Sequence, residues 1–318
     1  MKIYIGANLD QRGRDYLQTE LGGYDVIRAE QMPDDPKERR KAFSSCEVAF
    51  GNVPAEWLVG DHRLKWLQLE SVGFEYYCGV ASMSAGRDFK VSNLRGGMFA
   101  RPVAETALAG ILALYRRLDE LIPAQTERKW TPGEYRARMR VLSGERVVVC
   151  GLGAIGGHIC DLLRAFGCTV TAFARSSSEA QIHTPEELDE ELPRCAIVIN
   201  VLPNTEQTAD LFNRRRLARF APGALFVNVG RGTSVDETAL AEALNEGRLG
   251  GTVLDVFRTE PLPSDHPLWR APNTIITQHT GGGYNGELYD KACFFAENMK
   301  RYAAGDEPLN LVKFERGY

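Results

Sequence analysis

An arginine, two acids and a histidine sit where a strand gives way to a loop. The arginine is Arg231, in Asn228-Val229-Gly230-Arg231-Gly232. The acids are Asp255 and Glu260, in Leu254-Asp255-Val256-Phe257-Arg258-Thr259-Glu260-Pro261-Leu262. The histidine is His279, in Ile276-Thr277-Gln278-His279-Thr280-Gly281-Gly282. Short apolar runs at 224–229, 251–256 and 274–277 precede or enter these segments and read as strands. Open parallel α/β sheets place their ligands outside the carboxyl ends of strands. A guanidinium there binds an anion, and an imidazole with an acid moves a proton. The set suits chemistry on a small organic acid.

A second signal is Gly151-Leu152-Gly153-Ala154-Ile155-Gly156. It follows the apolar run 146–150 and opens an amphipathic stretch at Ile155, the context in which a GxGxxG pattern reads as a dinucleotide site. Gly151 permits the tight turn, Gly153 lets the backbone approach a pyrophosphate, and Gly156 lets helix and strand pack closely. The N–H groups and dipole at the helix start favour the pyrophosphate. The next run, 169–173, ends in Ala174-Arg175-Ser176-Ser177-Ser178, with no acid before Glu179. A carboxylate about 20 residues past the turn is the usual partner of a free ribose 2′-hydroxyl. Arginine followed by hydroxyls suits a 2′-phosphate instead. NADP(H) is therefore expected, with NAD(H) as the alternative.

The elements needed to position these residues are legible. From residue 145 on, runs at 146–150, 169–173, 197–201, 224–229, 251–256 and 274–277 are mostly continuously apolar, as strands buried on both faces of a parallel sheet are. Helical stretches such as 155–166 and 235–246 separate several of them, which is the alternation of a doubly wound sheet. The first hundred residues read as a smaller α/β unit, with strands at 2–5, 47–50 and 65–69 and a helix at 12–21. Residues 101–122 read as one long helix, with Pro102 near its start and Pro123 just past its end. Its apolar stretch 107–114 must be buried, in the core or against another subunit.

Composition narrows the class. With 318 residues two domains are expected. A net charge of −4 offers no basic field for nucleic acid or an anionic membrane. No run reaches the roughly 18 apolar residues of a membrane span, and the start MKIYIGANLD lacks a signal peptide's features. Seven scattered cysteines with no CxxC pair argue against a disulfide framework and against a zinc site. A cytoplasmic setting is expected.

Together the segments resemble the D-isomer-specific 2-hydroxyacid dehydrogenase family, whose pattern is the GxGxxG turn, NxxRG, DVFxxEPLP, and HPLW before a histidine loop. Here these are the turn at Gly151, Asn228 to Gly232, Asp255 to Pro263, and His266-Pro267-Leu268-Trp269 leading to His279. The match also reaches residues 69–73, 97–105 and 310–318, so it covers nearly the whole chain. The resemblance implies that Arg231 holds the substrate carboxylate and polarises the keto oxygen. His279 is then the acid/base and Glu260 its orienting partner. Asp255 would contact the nicotinamide amide, and backbone N–H groups at Val72 and Gly73 would make a second carboxylate contact. Leu202, Pro203 and Thr208, with Val229 and Gly230, would line the cofactor. His62, His158, His183 and His266 have no such context and read as structural. One departure stands out: Gln278 occupies a position where the family commonly has proline.

The implied architecture is a Rossmann-type doubly wound sheet at 101–280 plus a smaller, discontinuous flavodoxin-like substrate domain at 1–100 and 281–318. The substrate is expected in the cleft between them. The resemblance further implies a homodimer built around the 101–122 helix. The expected reaction interconverts a small 2-keto acid and a (D-)2-hydroxy acid. Glyoxylate or hydroxypyruvate is favoured, because the cofactor loop resembles that of the glyoxylate/hydroxypyruvate reductases. Formate or phosphite dehydrogenation on the same scaffold, or a dinucleotide-sensing corepressor without catalysis, are the alternatives.

Overall fold

The structure is a computed structural model that describes residues 1–83 and 89–314. Positions 315–318, the end of the 310–318 match, lie outside the described residues. The chain divides into two units, Met1–Met98 with Tyr284–Tyr318, and Phe99–Gly283.

The first unit is built on β1 (Lys2–Ile5), β2 (Asp25–Arg28), β3 (Val48–Phe50), β4 (Trp66–Gln68) and β5 (Lys90–Ser92). They form one parallel sheet in the order β2-β1-β3-β4-β5, the flavodoxin-like order. Strands β2 and β5 do not stand out in the sequence. They lie at the two edges: β2 carries an acid and an arginine at its ends with no fully buried residue, and β5 is three residues long. The helix Glu287–Ala303 returns from the far end of the chain and inserts Phe295 against this sheet. Its ring stacks on Phe50 at 4.5 Å and on Trp66 at 5.6 Å.

The second unit carries β6 (Arg146–Cys150), β7 (Thr169–Phe173), β8 (Ile197–Asn200), β9 (Leu225–Asn228), β10 (Gly251–Leu254) and β11 (Thr274–Ile276). All are parallel, in the order β11-β10-β9-β8-β6-β7. The order reverses at β6, between β7 and β8. Every residue of β8, β9 and β10 is buried, which explains their unbroken apolar sequences.

Gly97–Tyr115 is long and apolar enough to cross a membrane by length and composition alone. Here its small residues let it lie on the sheet: a Cβ on Gly110 would come within 2.5 Å of Val253 Cγ1. Ala104, Ala107, Ile111 and Leu114 join the core with Val147, Val149, Ile199 and Val227. The expectation of one helix over 101–122 needs correction. The helix ends at Tyr115, Arg117 takes a left-handed conformation (φ 57), and a second helix runs Leu118–Thr126 with Pro123 inside it. The break has a partner: the Arg117 guanidinium bonds Asn273 Oδ1 at 3.0 Å, just before β11, and also reaches Glu120. Nor is the apolar stretch buried all round: Leu108, Leu112 and Ala113 are half-buried and Ala109 is exposed.

Candidate active site

Every loop singled out in the second half of the sequence follows a strand of one parallel sheet. The glycine turn follows β6, Arg175 and Ser176 follow β7, and Leu202 and Pro203 follow β8. Val229, Gly230 and Arg231 follow β9, Asp255 and Glu260 follow β10, and His279 follows β11. The turn therefore lies at the topological switch point, where open α/β sheets bind ligands.

The turn is shaped for an anion. Gly151 has φ 109, and a Cβ on Gly156 would lie 1.9 Å from Gly151 O. Gly153 faces open space and precedes the helix Ala154–Ala165 with no side-chain cap, so the first-turn N–H groups at Ala154 and Ile155 face outward. The loops after β8 and β9 close tightly beside it: a Cβ on Gly230 would meet Leu202 O at 2.7 Å. Thr208 Oγ1 donates to Pro203 O at 2.6 Å and accepts from Thr205 N at 2.9 Å, which shapes the loop from Pro203. Arg175 bonds the Gln207 side chain from the neighbouring loop. The chemistry and shape of these residues fit a dinucleotide's phosphates.

His279 Nδ1 stands 2.6 Å from Glu260 Oε2. The other oxygen, Oε1, accepts from Phe257 N at 2.8 Å, which fixes the carboxylate's orientation. A proton held on Nδ1 leaves Nε2 for a ligand. Asp255, in contrast, is buried, and its carboxylate is committed to the loop that bears the histidine. Oδ1 accepts from Thr277 Oγ1 at 2.6 Å, Thr280 N at 2.9 Å and Gly281 N at 3.1 Å. Its backbone O accepts from His279 N at 2.6 Å. The structure gives Asp255 a clamping part that the sequence did not suggest.

A buried polar network supports Arg231. Asn200 Nδ2 donates to Asn228 Oδ1 (2.9 Å) and to Ser234 Oγ (2.8 Å). Asn228 Nδ2 and Ser234 Oγ both donate to Arg231 O, at 3.1 and 2.7 Å. Asn200, Asn228 and Ser234 are all buried, and each amide hydrogen at Asn200 has a partner, the condition under which such a network rigidifies a site. Sequence reading missed Asn200 and Ser234. The available signal was an asparagine closing each of two otherwise apolar strands, β8 and β9.

In the first unit, Val72 and Gly73 lie in the loop after β4. Their carbonyls accept from Asn93 Nδ2 at 2.6 Å and Ser71 Oγ at 2.8 Å, while among the described residues their N–H groups have no partner.

A family profile described as "D-isomer specific 2-hydroxyacid dehydrogenase, NAD binding domain" matches residues 108–281, more than half of the chain. The chain belongs to the D-isomer specific 2-hydroxyacid dehydrogenase family. It is an NAD(P)-dependent oxidoreductase acting on CH–OH donors, and the glycine turn lies inside its nicotinamide-dinucleotide domain. A curated relative, glyoxylate/hydroxypyruvate reductase A of Salmonella paratyphi B, is 34% identical over 292 residues, covering 83% of this chain and 91% of its own. Formate dehydrogenase of Arabidopsis thaliana is 27% identical, covering 92% of this chain and 78% of its own. Among solved structures, a D-isomer specific 2-hydroxyacid dehydrogenase from Xanthobacter autotrophicus Py2, in complex with NADPH and MES, superposes with a TM-score of 0.80. It is 29% identical and covers 100% of this chain and 99% of its own.

Proposed function

We propose that this dehydrogenase reduces a small 2-keto acid, glyoxylate or hydroxypyruvate, to the 2-hydroxy acid with NADPH. The observation that carries the reading is the His279–Glu260 pair, on loops beside the one that bears Arg231. Arg231 offers the substrate carboxylate two parallel N–H donors. His279, as the imidazolium, gives its Nε2 proton to the keto oxygen and is left neutral, with the Nδ1 proton held toward Glu260, which orients the ring. The bound nicotinamide supplies the hydride to the keto carbon. In the reverse direction His279 accepts the hydroxyl proton.

NADPH is favoured by Arg175 and Ser176 after β7, where no acid is placed to bind a free 2′-hydroxyl. The Xanthobacter relative was solved with NADPH. The formate reading is weaker on chemical grounds. Formate loses a hydride without losing a hydroxyl proton, so it has no use for the histidine–carboxylate pair.

A homodimer through the helical arm of the second unit is part of the same proposal. Leu118, Ile122, Trp130 and Val141 are exposed there, with Trp130 91% exposed. Apolar surface of that extent on one arm suits a subunit contact.

The deciding assay sets glyoxylate, hydroxypyruvate, pyruvate and formate against NADPH and NADH, read by absorbance. Turnover of a 2-keto acid with preference for NADPH is expected. Turnover of formate alone, or none at all, overturns the reading.

A further inference from the structure

His266 and Glu237 stand outside the site as read from the sequence, yet they hold the backbone on which Glu260 depends. Glu237 opens the helix Glu237–Asn245, which follows the Arg231 loop. Its Oε1 accepts from Arg258 N at 2.6 Å, and its Oε2 lies 3.3 Å from His266 Nε2. Both side chains are largely shielded, at 12% and 19% exposure. His266 Nδ1 accepts from Leu268 N, which puts the proton on Nε2, facing Glu237.

Two successive amides therefore serve two carboxylates. Phe257 N–H holds Glu260, and Arg258 N–H is held by Glu237. The same stretch lies on the Arg231 loop without a gap. A Cβ on Gly232 would fall 1.8 Å from Phe257 C, so backbone rests on backbone. The Arg258 guanidinium adds bonds to Thr233 O at 3.1 Å and Val235 O at 3.0 Å. A rotation of the backbone at Arg258 thus shifts the Phe257 amide, and with it the carboxylate facing His279.

We propose that Glu237, oriented by His266, is a positioning residue for the acid/base pair: it sets the backbone at Phe257 and Arg258 so that Glu260 stays aimed at His279. The inference rests on the reading of His279 as the acid/base. A charge-assisted bond of this length is among the stronger ones available, and small misplacements of reacting groups are costly.

The test compares Glu237→Ala, Glu237→Gln and His266→Gln with the parent enzyme. Glu237→Ala is expected to lower kcat by roughly ten- to a hundredfold, with the cofactor KM unchanged. Glu237→Gln keeps an oxygen for the Arg258 amide and is expected to restore most of kcat. His266→Gln is expected to fall between them. A readout independent of turnover is the proton resonance of the His279–Glu260 hydrogen bond, assigned by its loss in Glu260→Gln. It is expected to shift or broaden in Glu237→Ala and to persist in Glu237→Gln. Unchanged kcat and an unchanged resonance in Glu237→Ala, with only a lowered Tm, overturn the proposal. If Glu237→Ala fails to fold, the same comparison is decided by His266→Gln. A parent enzyme without 2-keto acid turnover refutes the functional reading, while the resonance still reports on the positioning.

Discussion

Gln278 and His279 are consecutive residues in the left-handed region, with φ of 55° and 56°. Proline's ring holds φ near −65°, so the residue the family commonly has before this histidine is incompatible with the backbone at Gln278. Gln278→Pro is expected to lower turnover on the order of a hundredfold and to lower Tm. Gln278→Gly relieves a left-handed side chain at a cost of about 1 kcal/mol and is expected to keep both. Near-normal kcat in Gln278→Pro speaks against this backbone.

Proton transfer is tested at the pair itself. His279→Ala is expected to cost roughly 10²–10⁴-fold in kcat, and Glu260→Gln less, since the imidazole is still present. Steady-state rates at saturating keto acid give the answer. Normal turnover in His279→Ala removes it from the mechanism.

Arg231→Ala is expected to raise the keto-acid KM and lower kcat together. Arg231→Lys is expected to recover only part of both, because an ammonium lacks the planar fork. An effect confined to cofactor KM contradicts a role at the substrate.

Arg175→Ala addresses the cofactor. A lost charge-assisted bond corresponds to roughly a tenfold rise in the NADPH KM, with little change for NADH. Equal use of the two cofactors by the parent enzyme sinks the assignment.

Asp255→Ala strands the Thr280 and Gly281 amides that its carboxylate satisfies. A loss of about 2–3 kcal/mol in urea unfolding is expected, together with a fall in kcat as the histidine loop loosens. Unchanged stability contradicts the clamp.

Much of the site's scaffold was legible because its signals are local. The GxGxxG spacing meets a steric demand within six residues: a side chain at 156 collides with the carbonyl of 151. Strand β6 appears in the sequence with its observed bounds because a strand buried on both faces needs an unbroken apolar run, here Val147 to Cys150. Edge strands β2 and β5 carry no such demand and were not visible. The break at Arg117 was hidden for another reason: its partner Asn273 is far away in the chain.

The residue types and their order were thus determined by the sequence alone: an arginine, two acids and a histidine at strand ends beside a dinucleotide turn. The resemblance already pairs Glu260 with His279; what each carboxylate binds was decided by the tertiary structure, although Asp255 and Glu260 lie only five positions apart. The fold spends the Asp255 carboxylate on the backbone of the histidine loop and turns Glu260 toward the ring, held by Phe257 N–H. Hydrogen-bond partners are set by where chain reversals bring donors and acceptors together, and that information exists only in three dimensions.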